Sequence, residues 1–151
     1  MKIQKLMVAV LGLGVALAVS VRADDAPPKP EHHDRVHEAP HAMPPASTKE
    51  GVTYATDIKP IFDNSCIKCH GKDRAKAKLH LDSLEGVLAG SEDGKVLKPG
   101  NSADSVLVKA VSYATKDDDM WMPPQHNKAG IKPLTAEEVG LIRAWIDQGA
   151  K

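Results

Sequence analysis

The stretch Cys66-Ile67-Lys68-Cys69-His70 constrains this chain more than any other. It has the form C-x-x-C-H, the signature of covalent haem attachment. Each cysteine can add across one vinyl group of a haem, and the two-residue spacing lets one helical turn present both sulfurs to the same edge of the macrocycle. The next residue then directs its imidazole at the iron. The motif predicts one covalent haem c, attached through Cys66 and Cys69, with His70 as the proximal iron ligand.

Two other readings of the motif compete with haem. A redox-active cysteine pair of the thioredoxin type needs a βαβ context, and no such pattern surrounds these residues. A structural zinc site usually takes four Cys or His ligands, and His80 and His126 are available to complete one. No second ligand pair has the spacing of a zinc knuckle, so haem is the favoured reading. The chain has only two cysteines, which limits it to one such haem.

The first 23 residues have the pattern of a secretory signal peptide. Lys2 and Lys5 precede an apolar run over residues 6–21, and Val21-Arg22-Ala23 forms a cleavage site. The alternative is a transmembrane anchor, but the run is short for a span of about 20 residues. We therefore expect an exported, for example periplasmic, protein without stable membrane insertion after cleavage. Export suits the motif, because bacteria attach c-type haem outside the cytoplasm.

Residues 24–50 contain six prolines and few bulky apolar side chains. Such a segment buries too little surface to offset its ordering entropy, which predicts a disordered Pro/His-rich arm. The arm holds four of the seven histidines and one methionine: His32, His33, His37, His41 and Met43. Clustered His and Met side chains can bind metal ions, so a metal-binding arm is the alternative to a solvated linker.

Helical patterns follow the arm and predict an all-α domain. Thr56 or Asp57 is the expected N-cap of a helix that places Pro60 in its first turn and leads into the haem motif. The clearest helix is the last, with a capping box that begins at Thr135 and a C-terminal cap at Gly149. Gly140 lies in the middle of this helix, where close approach of another helix would explain it.

Shorter elements are expected between these two helices. Residues 79–82 alternate as an extended segment does, and residues 83–89 form a short helix before Gly90. Asn101 or Ser102 is the expected cap of a further helix that includes Val106, Leu107, Ala110 and Val111. The predicted haem contacts are apolar side chains along these elements: Ile61, Phe62, Leu81, Leu107, Val111 and Trp121.

The ordered set of motifs resembles a class I-type cytochrome c, and more specifically the planctomycete-type cytochrome c domain. The resemblance extends over about residues 52–150, which assigns residues 51–151 to this domain. It rests on these stretches: Ile58-Lys59-Pro60-Ile61-Phe62, residues 66–71, Leu79 with Leu81-Asp82-Ser83, Pro99-Gly100, Met122-Pro123-Pro124, and Trp145-Ile146 with Gly149-Ala150. It implies a cytochrome c-like fold in which the N- and C-terminal helices cross, with short helices and loops around one haem.

The resemblance also implies that a methionine on the loop before the last helix is the sixth iron ligand. Met122 fits, because its thioether is soft and the following Pro123 restricts its backbone. Met120 lies two residues away without a following proline. Three further alternatives are Met43, which precedes two prolines in the arm, and the histidines His80 and His126.

These observations predict an electron carrier rather than an enzyme: an exported monohaem cytochrome with His70/Met122 ligation. The alternatives are a haem peroxidase or small-ligand sensor with a displaceable sixth ligand, and a periplasmic metal-binding protein that uses the arm. The formal net charge of zero gives no reason to expect nucleic acid. Redox proteins are the expected partners, docking near basic residues that lie within and after the motif: Lys68, Lys72, Arg74, Lys76 and Lys78.

Overall fold

A computed structural model describes residues 41–151. The predicted signal peptide and residues 24–40 of the predicted arm lie outside the described residues. The described part is rich in helix and has little sheet, in agreement with the predicted all-α class. No helix in residues 41–151 is long and apolar enough to cross a membrane.

In chain order the elements are a π-helical turn Tyr54–Ile58, α1 Lys59–Ser65, α2 Ile67–His70, β1 Arg74–Ala75, a 3-10 turn Lys76–Lys78, α3 Leu84–Ala89, α4 Val106–Val111, a 3-10 turn Asp118–Met120 and α5 Ala136–Asp147.

The first helix begins earlier than predicted. Thr53, rather than Thr56 or Asp57, is its N-cap, and the Thr53 side chain accepts a hydrogen bond from the backbone N–H of Thr56. A π-helical turn follows and passes into α1 at Lys59. Because α1 itself begins at Lys59, Pro60 is its second residue, where its missing N–H leaves few helical hydrogen bonds of α1 unmade.

The predicted short helix α3 and the predicted capping box of α5 are both confirmed. The Ser83 hydroxyl accepts a hydrogen bond from the backbone N–H of Gly86 at 3.1 Å and begins α3. Thr135 and Glu138 form the capping box of α5, and Gly149 has the positive φ of 100° expected just beyond the helix. The starts of these two helices follow from side-chain chemistry that the sequence displays.

The predicted cap of α4 is wrong. This helix begins after Ser105, which provides no side-chain cap. Asn101 closes a tight turn instead, by accepting a hydrogen bond from the Asp104 N–H at 3.0 Å. The Ser102 hydroxyl donates to the carboxylate of Asp147 at 2.9 Å. Both side chains are therefore used outside the helix for which they were expected.

One continuous apolar core holds these short helices together, and α5 supplies much of it. Trp145 and Phe62 are its largest fully buried side chains. Tyr54 lies between them, with ring centroids 5.9 Å from Trp145 and 6.3 Å from Phe62. The helix α5 contacts both the π-helical turn and α4. The core thus joins the two ends of the domain and fixes α4 relative to α1.

The last ten residues of the predicted disordered arm are described and pack along the domain. We call residues 41–49 the strap. The backbone N–H of Ser47 donates to the carbonyl of Gly140 at 2.8 Å, and a guanidinium N–H of Arg143 donates to the carbonyl of Pro44. Gln148 also donates to the carbonyl of Lys49 at 2.8 Å. Met43 also packs against the apolar core, so the strap is bound by backbone hydrogen bonds, by the side chains of Arg143 and Gln148, and by one apolar side chain of its own.

Candidate haem-binding site

The haem-attachment motif lies on one turn of helix directly after α1. Cys66 is the residue between α1 and α2, and its carbonyl accepts hydrogen bonds from the backbone N–H groups of Cys69 at 3.0 Å and His70 at 2.9 Å. Cys66, Cys69 and His70 all line the same cavity. The structure thus brings together the three residues that the motif singled out.

This cavity has a volume of about 350 Å³ and lies beside the motif. Its walls come from α2, the segment after β1, the loop before α4, α4 itself and the loop before α5. Apolar side chains predominate in the lining, as a haem macrocycle requires. The apolar lining residues are Ala77, Leu79, Leu81, Val96, Val106, Leu107, Ala110, Val111, Met120, Met122, Pro123, Pro124, Ile131 and Leu134.

His70 has the properties of a neutral metal ligand. Its Nδ1 atom is buried and has no well-formed hydrogen bond within the described range, although the nearby backbone of Leu79 and Lys76 partly offsets the effect of burial on the pKa of the ring. Burial lowers the pKa of its imidazole below the ordinary value of 6.5, so the ring is neutral at pH 7. A neutral imidazole offers the lone pair that iron needs. An unpartnered nitrogen on a residue that lines an apolar cavity fits an iron ligand better than a structural histidine.

The two cysteines are free and half-buried. Burial, together with the nearby Glu138 and Cys69, raises the pKa of the Cys66 thiol to about 12. Cys66 therefore remains a protonated thiol at neutral pH, and S–H addition across a vinyl group uses this form. The raised pKa argues against a nucleophilic redox cysteine, whose pKa is usually lowered.

Two methionines of the loop before α5 line the cavity. Met122 is half-buried, and its backbone N–H donates to the carbonyl of Ala110 in α4 at 3.1 Å. Met120 lies at the end of a 3-10 turn and is 42% exposed. Among the described residues, Met43, His80 and His126 do not belong to the cavity lining. The geometry therefore leaves Met122 and Met120 facing the space beside the motif.

The predicted apolar contacts divide into two groups. Leu81, Leu107 and Val111 line the cavity as expected. Ile61, Phe62 and Trp121 are instead buried in the protein behind it. Sequence reasoning did not assign Val96, Ile131 or Leu134 to the cavity. They lie in segments without helical or strand periodicity, so no pattern pointed to their orientation.

The predicted basic docking residues lie beside the cavity. Bridges between His70 and Ala75 and between Gly71 and Arg74 fold residues 70–75 into a small hairpin. The following Ala77 and Leu79 line the cavity. The basic side chains of this region are exposed: Lys68, Lys72, Arg74, Lys76 and Lys78. Only Lys78 of these forms an ion pair within residues 41–151, at 3.4 Å from Glu92.

The zinc reading gains no support from the described part of the chain. Residues 41–151 contain no group of three or more His, Cys, Asp and Glu side chains arranged to hold a metal ion. His41 lies against Tyr113 and Trp121, with ring centroids 6.0 and 5.9 Å away. The histidines His32, His33 and His37 lie outside the described residues.

One protein-family model matches the part of the chain that holds this site. Residues 66–126 match the family model described as Planctomycete cytochrome C. The matched stretch runs from the motif through the methionine loop and stops before α5. No curated protein and no solved structure matches the chain. A cytochrome c domain binds haem, which agrees with the cysteines, the histidine and the apolar cavity. The match supports a planctomycete-type cytochrome c domain in the part of the chain that holds this site.

Proposed function

We propose that this protein is an exported monohaem c-type cytochrome that transfers single electrons. One observation carries the proposal: two free thiols, a histidine with an unpartnered buried nitrogen and a methionine line one apolar cavity. The cytochrome c-like arrangement follows from the family. Export follows from the signal-like residues 1–23 and from the site of c-type haem attachment in bacteria.

Each residue has a separate role in this proposal. Cys66 and Cys69 hold the haem through thioethers, so that it is not lost outside the cell. His70 and Met122 would hold the haem iron, and this pair would raise its reduction potential compared with weaker-acceptor ligands. A bound haem supplies an iron that alternates between its ferric and ferrous states. The apolar walls keep water from both axial ligands and limit reorganisation around the changing charge.

The same proposal makes the protein a carrier rather than an enzyme. Two protein ligands on the iron leave no coordination position for a substrate. A peroxidase or a small-ligand sensor needs an open or easily displaced sixth position. The half-buried Met122, fastened to α4 through its backbone, supports the six-coordinate reading.

Redox proteins with an acidic surface are the proposed partners. The basic residues after the motif flank the cavity and are mostly without ion-pair partners in the described range. Exposed charges of one sign near an electron-transfer edge accelerate encounter with an oppositely charged surface. The hairpin of residues 70–75 and the following 3-10 turn present these charges beside the motif.

The test of this function is the visible spectrum of the holoprotein and of two methionine variants. The reduced wild-type protein should show the sharp α and β bands of low-spin haem. The oxidised protein should show the weak long-wavelength charge-transfer band of an iron–sulfur bond. Met122→Ala should abolish that band and allow carbon monoxide and cyanide to bind the iron. Met120→Ala is the matched control and should retain the wild-type spectrum.

Two outcomes would contradict the assignment. A high-spin wild-type spectrum with immediate carbon monoxide binding would favour the enzyme or sensor. Loss of the charge-transfer band in Met120→Ala, with retention in Met122→Ala, would transfer the ligand role to Met120.

A further inference from the structure

Tyr113 occupies an unusual position immediately after α4. Its side chain is buried, and its backbone has a positive φ of 56°. A bulky residue adopts this left-handed conformation only where its surroundings stabilise it. The conformation turns the chain at the end of α4 and directs the ring towards the methionine loop. The contacts of that ring show what it stabilises.

Tyr113 contacts the residues on both sides of Met122. Its ring stacks on the indole of Trp121, with centroids 4.9 Å apart and planes 6° from parallel. Its hydroxyl donates a buried hydrogen bond to the carbonyl of Pro123 at 2.6 Å. One side chain therefore holds the residue before Met122 by stacking and the residue after it by a hydrogen bond.

Two further hydrogen bonds connect this short segment to its surroundings. The indole N–H of Trp121 donates to the carbonyl of Thr115 at 3.2 Å, and the backbone N–H of Met122 donates to Ala110 at 3.1 Å. Ala110 lines the cavity, so the segment is fastened directly to a cavity wall. Met120 makes its backbone hydrogen bond only within its own 3-10 turn, to the carbonyl of Asp117.

We propose that Tyr113 is a positioning residue that holds Met122 towards the iron and thereby determines which methionine is the sixth ligand. This inference rests on the proposed His70/Met122 ligation. Tyr113 acts through the indole of Trp121 and the carbonyl of Pro123, and it does not itself line the cavity. Loss of its hydroxyl leaves the buried carbonyl of Pro123 without its donor, so the loop opens more often and frees the sixth coordination position.

The strap contributes to the same arrangement. The backbone N–H of His41 donates to the carbonyl of Tyr113 at 3.0 Å, and its ring lies near both Tyr113 and Trp121. His41 thus covers the aromatic pair on the side where the described chain begins.

The experiment compares Tyr113→Phe with Tyr54→Phe in the haem-loaded protein. Phenylalanine at position 113 keeps the stacking on Trp121 and removes only the hydrogen bond to Pro123. Tyr54 is the control for the methionine loop, because its buried hydroxyl donates to the carbonyl of Leu81 at 2.9 Å, and Leu81 lies on the His70 side of the cavity. Both variants lose one buried hydrogen bond, so both should lose similar thermal stability.

Only Tyr113→Phe should change the ligand loop. We expect its apparent affinity for cyanide to rise on the order of fivefold, since a buried hydrogen bond that holds the loop closed is lost. Its charge-transfer band should weaken, and the amide proton of Met122 should exchange faster. Tyr54→Phe should keep the wild-type cyanide affinity and exchange rate. Equal behaviour of the two variants in these three measurements would overturn the positioning role.

The wild-type spectrum separates this inference from the proposed function. A wild-type protein without the charge-transfer band refutes the His70/Met122 ligation and, with it, the ligand-selecting role of Tyr113. A wild-type protein that shows the band, together with a Tyr113→Phe variant of unchanged cyanide affinity, refutes the positioning role alone.

Discussion

At the scale of single residues, Gly140 shows how a missing side chain shapes this domain. A Cβ atom at this position would lie 2.8 Å from the carbonyl oxygen of Pro45 and 3.4 Å from the backbone nitrogen of Ser47. Glycine in a helix interior costs about 1 kcal/mol relative to alanine. The sequence suggested a crossing helix as the reason for Gly140, but the close neighbour is the strap. The residue allows Ser47 to reach the Gly140 carbonyl.

Gly140→Ala should therefore have opposite effects with and without the strap. In the full chain, alanine displaces the strap, and we expect the free energy of unfolding to fall by about 1–2 kcal/mol. In a chain that lacks residues 24–49, and therefore the strap, the same change should stabilise α5 by about 1 kcal/mol through helix propensity. The four proteins to compare are the wild type and Gly140→Ala, each with and without the strap. Their free energies of unfolding, from thermal or denaturant unfolding, give the coupling between Gly140 and the strap.

Gly86→Ala is the matched control for this cycle. Gly86 also lies in a helix, but its added Cβ would lie 2.7 Å from Cβ of His80 and 2.8 Å from the His80 carbonyl oxygen. Its destabilising effect should be the same whether or not the strap is present. If Gly140→Ala also has the same effect in both backgrounds, the strap does not explain the glycine.

At the scale of elements, the segment of residues 70–79 contributes both to the cavity and to the surface charge. Ala77 and Leu79 form part of the cavity wall, while the basic side chains of the segment are exposed. Residues 24–151 carry 17 Lys and Arg against 20 Asp and Glu, since three of the chain's 20 basic residues lie in residues 1–23. The net charge of that part is therefore −3, opposite in sign to the segment beside the motif.

Because the basic segment and the net charge have opposite signs, the salt dependence of electron transfer can show which of the two governs encounter. If electrons leave near the basic segment, oxidation by the anion hexacyanoferrate(III) should slow as salt rises, because added ions screen the attraction. A positively charged cobalt complex should show the reverse trend. Replacement of Lys72 and Lys76 by Gln should slow the anionic reaction at low salt, while Lys59→Gln, a lysine paired with Asp63 at the start of α1, should not.

The opposite salt trend in the wild-type protein would mean that the net charge of −3, rather than the basic segment, governs encounter. Equal rates for the Lys72/Lys76 variant and the Lys59 variant would assign the basic residues to ordinary solvated surface.

At the scale of the whole molecule, the sequence predicted those parts that local chemistry specifies. The capping box at Thr135 is such a side-chain signal and is confirmed, and Ser83, at the start of the predicted short helix, caps α3 in the same way. The motif residues lie together because four consecutive helical residues determine their arrangement. The cap of α4 was not predictable in this way, because Ser102 is bound by Asp147, which lies 45 residues later.

The strap and the aromatic support of Met122 depend on contacts that the sequence does not display. Several of the strap's contacts are backbone hydrogen bonds, which leave no trace in side-chain composition, and its prolines suggested disorder. Tyr113 and Trp121 are eight residues apart across an irregular loop, so no periodicity links them. Their stacking follows from the positive φ at Tyr113, which only the folded structure reveals.

The most direct test of the central claim is the mass of the denatured protein after expression in a host that attaches c-type haem. Denaturation removes non-covalent haem, so only thioether-bound haem remains on the chain. We predict a protein that carries the mass of one haem, and an unmodified chain when Cys66 and Cys69 are both replaced by Ala. An unmodified wild-type chain, from cells in which another c-type cytochrome receives its haem, would contradict the claim that this domain is a monohaem cytochrome c.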